Sequence, residues 1–199
     1  MQLLGMTDSP YVRRVAITMQ LLGLAYEHRP ISVFRAYGEF RAINPVVRIP
    51  TLVCDDGEQL MDSHLIIDYL ECLAGRSLMP AELPARRRAL RLLGLATAAC
   101  EKTGQVVHEY HVRTPELRSG PWLARVLEQL VAALNLLESE VAGQPFGEEL
   151  DQASLTVAVT WRFTQLYVKD SILPADFPAL AAHSAWAERQ PAFLAVPAE

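Results

Sequence analysis

The run Arg48-Ile49-Pro50-Thr51-Leu52-Val53-Cys54-Asp55-Asp56-Gly57-Glu58-Gln59-Leu60-Met61-Asp62-Ser63 carries groups suited to holding a small anion. Ile49-Pro50 is an X-Pro step, which reads as an extended entry into a strand. Asp56-Gly57 reads as a tight turn between two strands. Asp62-Ser63 reads as the polar start of a helix. A helix N-terminus presents unpaired N–H groups and a partial positive charge. Beside a strand edge with free backbone groups, it suits a small, extended, negatively charged molecule. Ser9 is the second candidate, placed just ahead of Pro10. Serine is a favoured N-cap and proline a favoured first helical residue, so Ser9 has a full structural role as a cap.

These residues need elements to position them. Residues 2–6 are a short apolar strand candidate, and Thr7-Asp8-Ser9-Pro10 a turn into a helix. Val12, Val15, Ala16, Met19 and Leu22 recur at helical spacing until Gly23. Residues 25–30 alternate as a second strand, which gives a parallel βαβ unit. Residues 35–44 read as a short helix or irregular segment closed by Asn44-Pro45. Residues 51–54 and 59–61 form a hairpin, and 63–73 an amphipathic helix. The first part therefore reads βαβ, then ββα. Residues 76–84, with Pro80 and Pro84, are the expected linker between a domain at 1–75 and one at 85–199. The second domain reads as all helical: 86–112, 122–141, 151–168 and 178–189, with a last turn after Pro191.

Bulk properties narrow the classes. The 199 residues are 51% hydrophobic and 21% charged, an ordinary globular balance. A net charge of −5 disfavours general nucleic-acid binding. Residues 1–10 lack a basic region before an apolar core, so no signal peptide is expected. No apolar run reaches the roughly 18 residues of a membrane span. Cys54, Cys72 and Cys100 are far apart, which favours a reducing cytoplasm and buried, apolar-like thiols. The five His and three Cys show no ligand spacing, so no metal site is expected.

The motifs in order resemble the cytosolic glutathione S-transferase family. Ser9-Pro10-Tyr11-Val12-Arg13-Arg14 resembles the S-P-[YF]-x-[RK] start of serine-type and bacterial members. Asn44-Pro45 with Ile49-Pro50-Thr51-Leu52 resembles its N-P-x-x-x-[VI]-P-x-L element, and Asp62-Ser63 its [ED]-S pair. Two departures stand out: Val47 occupies a place where the family often has glycine, and Asp151-x-x-Ser154 exchanges the polar types of the usual S/T-x-x-D helix start.

The resemblance implies an α/β thioredoxin-like N-terminal domain with a mixed four-stranded sheet, followed by an all-α helical bundle. It implies a cytoplasmic homodimer using glutathione as co-substrate, with a small apolar electrophile or a peroxide as the second substrate. Neither a nucleic acid nor a membrane is implied as a partner. Ser9 would activate the thiol, with Tyr11 and Thr7 as nearby alternatives. A hydroxyl at a helix N-terminus can donate to a thiolate whose charge the helix dipole favours. Pro50 would be cis, presenting the Ile49 backbone to the cysteinyl unit like an added strand. Asp62 and Ser63 would serve the γ-glutamyl end, and Arg48 a carboxylate, with Arg35 and Arg41 as weaker candidates. Tyr11, His108, Tyr110 and His111 are the candidates for the second-substrate pocket. His64 reads as a neighbour only. The alternative is a catalytically silent binding or interaction module on the same scaffold, like the stringent starvation protein A group. An isomerase of the maleylacetoacetate type is disfavoured by the absence of a Ser-Ser-Cys start, and a cysteine-type oxidoreductase by the absence of a cysteine near residue 9.

Overall fold

The computed structural model describes residues 1–198. Its contacts divide the chain into two units: Met1–Leu78 together with the segment from Arg189 on, and Met79–Glu188.

The first unit is built on a four-stranded sheet in the order β2-β1-β3-β4. The strands β1 (Gln2–Leu4), β2 (Glu27–Arg29), β3 (Thr51–Val53) and β4 (Gln59–Met61) are three residues each. β1 pairs parallel with β2 and antiparallel with β3, and β3 pairs antiparallel with β4. The parallel pair requires a crossover, which α1 (Pro10–Leu22) supplies. The apolar positions read at helical spacing, Val12, Val15, Ala16 and Met19, are all buried, as are Ile66, Ile67 and Leu70 of α3 (Ser63–Ala74). Between β2 and β3 lies α2 (Tyr37–Ile43), which buries Phe40 against Leu4 and Ile31. Short strands suffice because the helices cover the sheet and supply the apolar area that drives folding.

Gly5, just past β1, is a steric keystone. Its φ is +125°, and a Cβ there would lie 2.6 Å from Val12 Cγ2 and 3.3 Å from Ile49 Cγ2. The absence of a side chain lets the start of α1 and the Ile49 segment approach the same backbone. The segment from Arg189 on also belongs to this unit: α8 (Pro191–Leu194) packs on α1. The guanidinium of buried Arg13 lies 5.3 Å from the Phe193 ring centre, and its Nε donates to the Val196 carbonyl at 2.9 Å.

The second unit is helical: α4 (Leu83–Val107), α5 (Gly120–Gly143), α6 (Gln152–Tyr167) and α7 (Pro178–Ala187). Leu92, Ala96, Leu130, Leu134, Leu137, Val157 and Trp161 are among its core. α6 is buried on every side from Gln152 to Trp161. Two of its hydroxyls bond within the helix, Thr160 donating to Thr156 O at 2.8 Å and Thr164 to Thr160 O at 3.0 Å, while the buried Thr156 hydroxyl has no hydrogen-bond partner. The Asp151–Ser154 pair forms a full capping box, with Ser154 N donating to Asp151 Oδ1 at 2.7 Å and Asp151 N to Ser154 Oγ at 2.8 Å. The exchanged order of polar types therefore caps as well as the usual one.

Two expectations need correction. The continuous helix expected to run to residue 112 ends at Val107, and His108–Val112 continues as a π-helical turn. There Glu109 is buried, and its carboxylate is 3.4 Å from both Arg113 Nη1 and Ser119 N. Ordering this carboxylate provides a local reason for the wider turn. The cysteines also differ: Cys100 is buried, Cys54 is half-buried, and Cys72 is exposed. Among the described residues, no helix is long and apolar enough to cross a membrane.

Candidate active site

Three junctions of the first unit carry sequence-selected residues: two enter helices and one enters β3. At the first, Ser9 occupies the N-cap position of α1 with extended backbone (φ −69°, ψ 122°). Its carbonyl accepts from Arg13 N at 2.9 Å, so the helix begins as expected. Its side chain makes no capping hydrogen bond. This corrects the reading of Ser9 as a side-chain cap: the half-buried hydroxyl remains available at the positive end of a 13-residue helix.

At the second, the Ile49–Pro50 peptide is cis. A turn leads into it, closed by Val47 N donating to Asn44 O at 2.9 Å. Buried Asn44 also donates from Nδ2 to Thr51 Oγ1 at 2.8 Å, and Thr51 Oγ1 donates to Arg48 O at 2.6 Å. These bonds pin residues 44–51 from both ends. Val47 has φ +54°, a left-handed value that is a genuine outlier for a β-branched side chain. The backbone thus keeps a glycine-like conformation although the residue is valine. Ile49 is half-buried and Arg48 exposed beside it.

At the third, Asp62 is the N-cap of α3, with φ +73° and ψ 125°. Such a conformation costs an L-residue on the order of 1–3 kcal/mol and clusters at ligand clamps. Asp62 Oδ1 accepts from His64 N at 2.9 Å. Ser63 is buried, 3% exposed, and its hydroxyl oxygen accepts from Arg14 Nη1 at a long 3.4 Å. The same Arg14 nitrogen lies 3.2 Å from His64 Nε2, and His64 Nδ1 lies 3.5 Å from Asp62 Oδ1. Burial, then Arg14, lowers the His64 pKa below its ordinary 6.5, while Asp62 opposes the shift.

The first and second junctions meet through Gly5, whose missing side chain admits both Val12 of α1 and Ile49. The first and third meet through Arg14 and Ser63. Sequence reading missed Arg14 and passed over His64. Arg14 lies deep in an apolar helix face, where its sequence position carries no sign of the long-range contact. A cleft of about 540 Å³ opens beside the first junction, lined by Met6, His28, Arg29, Ser32, Arg35 and Glu39, among others. Arg35 lines it and Arg41 does not.

Residues 3–78 match the model of the glutathione S-transferase N-terminal domain, and residues 120–185 that of its C-terminal domain. The chain belongs to the glutathione S-transferase family. A family member from Pseudomonas fluorescens Pf-5, solved with bound S-(propanoic acid)-glutathione, is 30% identical over 98% of each chain, with a TM-score of 0.82. An uncharacterized GST-like protein of Escherichia coli is 27% identical over 69% of this chain and 68% of its own. Maleylacetoacetate isomerase of Pseudomonas aeruginosa is 44% identical over 63 residues, 29% of this chain and 30% of its own.

The remaining site candidates of this glutathione S-transferase family member fall in both units. Tyr11 is half-buried on α1 of the first. His108, Tyr110 and His111 are exposed on the π-helical turn of the second, and the rings of the last two go to different neighbours. The Tyr110 ring is covered by the Arg118 guanidinium at 5.3 Å, and His111 meets the edge of Tyr167 at 6.2 Å.

Proposed function

We propose that this chain is a glutathione transferase that activates the thiol of glutathione for attack on a small apolar electrophile, with hydroperoxide reduction as a side activity. The observation that carries the reading is Ser9: an uncommitted hydroxyl at the N-terminus of α1. Donation from that hydroxyl, with the helix dipole, stabilises a bound thiolate. A thiol of pKa roughly 8.5 is about 3% ionised at pH 7, and lowering the pKa by about 1.5 units raises this to about half. The Ile49 backbone pairs with the cysteinyl unit. The N-terminus of α3 and the Ser63 hydroxyl hold the γ-glutamyl carboxylate, and Asp62 holds its ammonium. The cleft beside Met6 favours Arg35 over Arg41 for the glycyl carboxylate. Arg48, which does not line that cleft, remains a candidate for a glutathione carboxylate. The glutathione conjugate bound by the Pseudomonas fluorescens relative supports the same ligand class here. Tyr11, His108, Tyr110 and His111 remain the proposed contacts for the electrophile.

A homodimer completes the proposal. Leu65, Tyr69 and Leu73 form an exposed stripe on α3, at 67%, 37% and 51% exposure. In the second unit Leu83 and Leu90 are likewise exposed, beside Arg86 and Arg87. Free thiols at Cys54, Cys72 and Cys100 support a reducing compartment such as the cytoplasm. Titration with glutathione, followed by a panel of electrophiles and hydroperoxides, tests the reading. Ser9→Ala slows conjugation at least tenfold; unchanged turnover rejects Ser9, and no binding at millimolar glutathione sinks the function. A second reading, glutathione-dependent isomerisation, draws on the stretch resembling the Pseudomonas aeruginosa isomerase. A cis-enone substrate in the same panel tests it.

A further inference from the structure

We propose that Arg14 and His64 are positioning residues for the γ-glutamyl end of the ligand, and that protonation of His64 releases them and weakens binding. The inference rests on the glutathione reading and concerns two residues that touch no ligand in it.

Hydrogen-bond chemistry fixes the arrangement. A guanidinium has donors only, so at 3.2 Å the His64 Nε2 must be the acceptor. The neutral ring then carries its proton on Nδ1, the nitrogen 3.5 Å from Asp62 Oδ1. His64 therefore acts on Asp62 twice, through its backbone N–H at 2.9 Å and through its ring. Both contacts converge on Oδ1, which leaves Oδ2 for a ligand ammonium. By the same donor rule, the Ser63 oxygen accepts from Arg14, and its own proton is available to a ligand carboxylate. Arg14 is 2% exposed, so its charge acts through a poorly screened medium on the N-terminus of α3. The chain Arg14–His64–Asp62 also helps hold Asp62 in its costly backbone conformation.

Protonation reverses one link. An imidazolium has N–H on both nitrogens, so Nε2 would face the Arg14 guanidinium donor to donor and charge to charge. Among the described residues, Arg14 from α1 and Asp62 from the N-cap of α3 are the charged groups facing His64. The adjacent strand, β4, ends in uncharged Met61. Burial already holds His64 toward its neutral form, so release begins below pH 6.5.

The test uses the full chain and S-methylglutathione, which has no titrating thiol, in calorimetric titrations between about pH 7 and 5. Across that window the ligand's carboxylates and amine keep their charges. The dissociation constant rises at least threefold on acidification. His64→Leu binds at least fivefold more weakly at pH 7. His64→Gln, whose amide can accept from Arg14 and donate to Asp62, recovers most of that loss and shows no pH dependence. His64 is half-exposed, so both variants are compatible with folding. In turnover assays at constant pH the loss falls on KM for glutathione and not on kcat. A flat wild-type profile, or a His64→Gln profile that still bends, overturns the inference while leaving the transferase reading intact. No binding at any pH overturns both.

Discussion

Gly5→Ala tests whether the site is organised around one bare backbone position. The added Cβ meets two separate penalties. The φ of +125° is a conformation L-residues rarely adopt, costing on the order of 1–3 kcal/mol. The methyl also arrives 2.6 Å from Val12 Cγ2, in a wholly buried and stiff β-branched side chain. Overpacking of this kind costs about 1–3 kcal/mol. Alanine returns about 0.4–1 kcal/mol by restricting the unfolded chain. The net expectation is a destabilisation of about 2–4 kcal/mol. At about 2–4 °C per kcal/mol for a chain of this size, Tm falls by roughly 5–15 °C. Denaturant titration followed by circular dichroism measures the loss. The double variant Gly5→Ala/Val12→Ala separates the penalties, because truncating Val12 removes the clash and leaves φ unchanged. It should be more stable than the sum of the single effects by about 1–3 kcal/mol. Glutathione affinity should fall in Gly5→Ala as well, since Ile49 Cγ2 stands 3.3 Å from the same methyl. A single variant within about 1 kcal/mol of wild type, or strictly additive effects, would refute the reasoning.

Other expectations follow from the same geometry. At Val47 the usual ranking of alanine over glycine inverts: both lose the valine's packing, but only glycine relieves the left-handed strain, so Val47→Gly exceeds Val47→Ala by about 1 kcal/mol in denaturant titrations. Asp151→Ala removes half of a capping box and costs about 1 kcal/mol, read as a lower denaturation midpoint. His183 is driven below its ordinary pKa by burial, and it reaches Ser154 O from Nε2 at 2.8 Å, so its neutral form carries the proton there. His64 shifts in the same direction. For both, the unfolded chain binds a proton first as pH falls through 6.5, so stability is full above that value and is lost toward the lower folded pKa. Replacing both by glutamine should flatten the Tm profile in this window, and an unchanged slope would assign acid sensitivity elsewhere.

Local chemistry made much of the fold readable. Ser9-Pro10, the spacing of Val12, Val15 and Met19, and the Asp56-Gly57 turn placed α1 and the β3–β4 hairpin almost to the residue. The polar pair Asp62-Ser63 marked the start of α3 for the same reason. Features that depend on distant partners were not legible. Whether the Ser9 hydroxyl caps its own helix depends on how surrounding groups orient it. Arg14 stands 49 positions from Ser63, with no local pattern to connect them. The π-helical turn buries Glu109 beside Arg113 and Ser119, contacts that residue spacing alone does not announce. Val47 was recognised as a departure, but only its φ shows that the backbone held its shape and the side chain yielded.

The return of α8 to α1 makes the first unit discontinuous: residues 79–188 are inserted within it. On the ribosome, the strands and Ser9 emerge early, while Phe193 and Val196, which engage Arg13, are made only after residues 79–188. Arg13 is 2% exposed in the finished fold and sits one residue from Arg14. The helix that presents the candidate hydroxyl is therefore sealed only after the helical unit has been synthesised. Assembly of the site is tied to synthesis of residues 189–196, so a product truncated before them would hold a loosened α1 and an immature site.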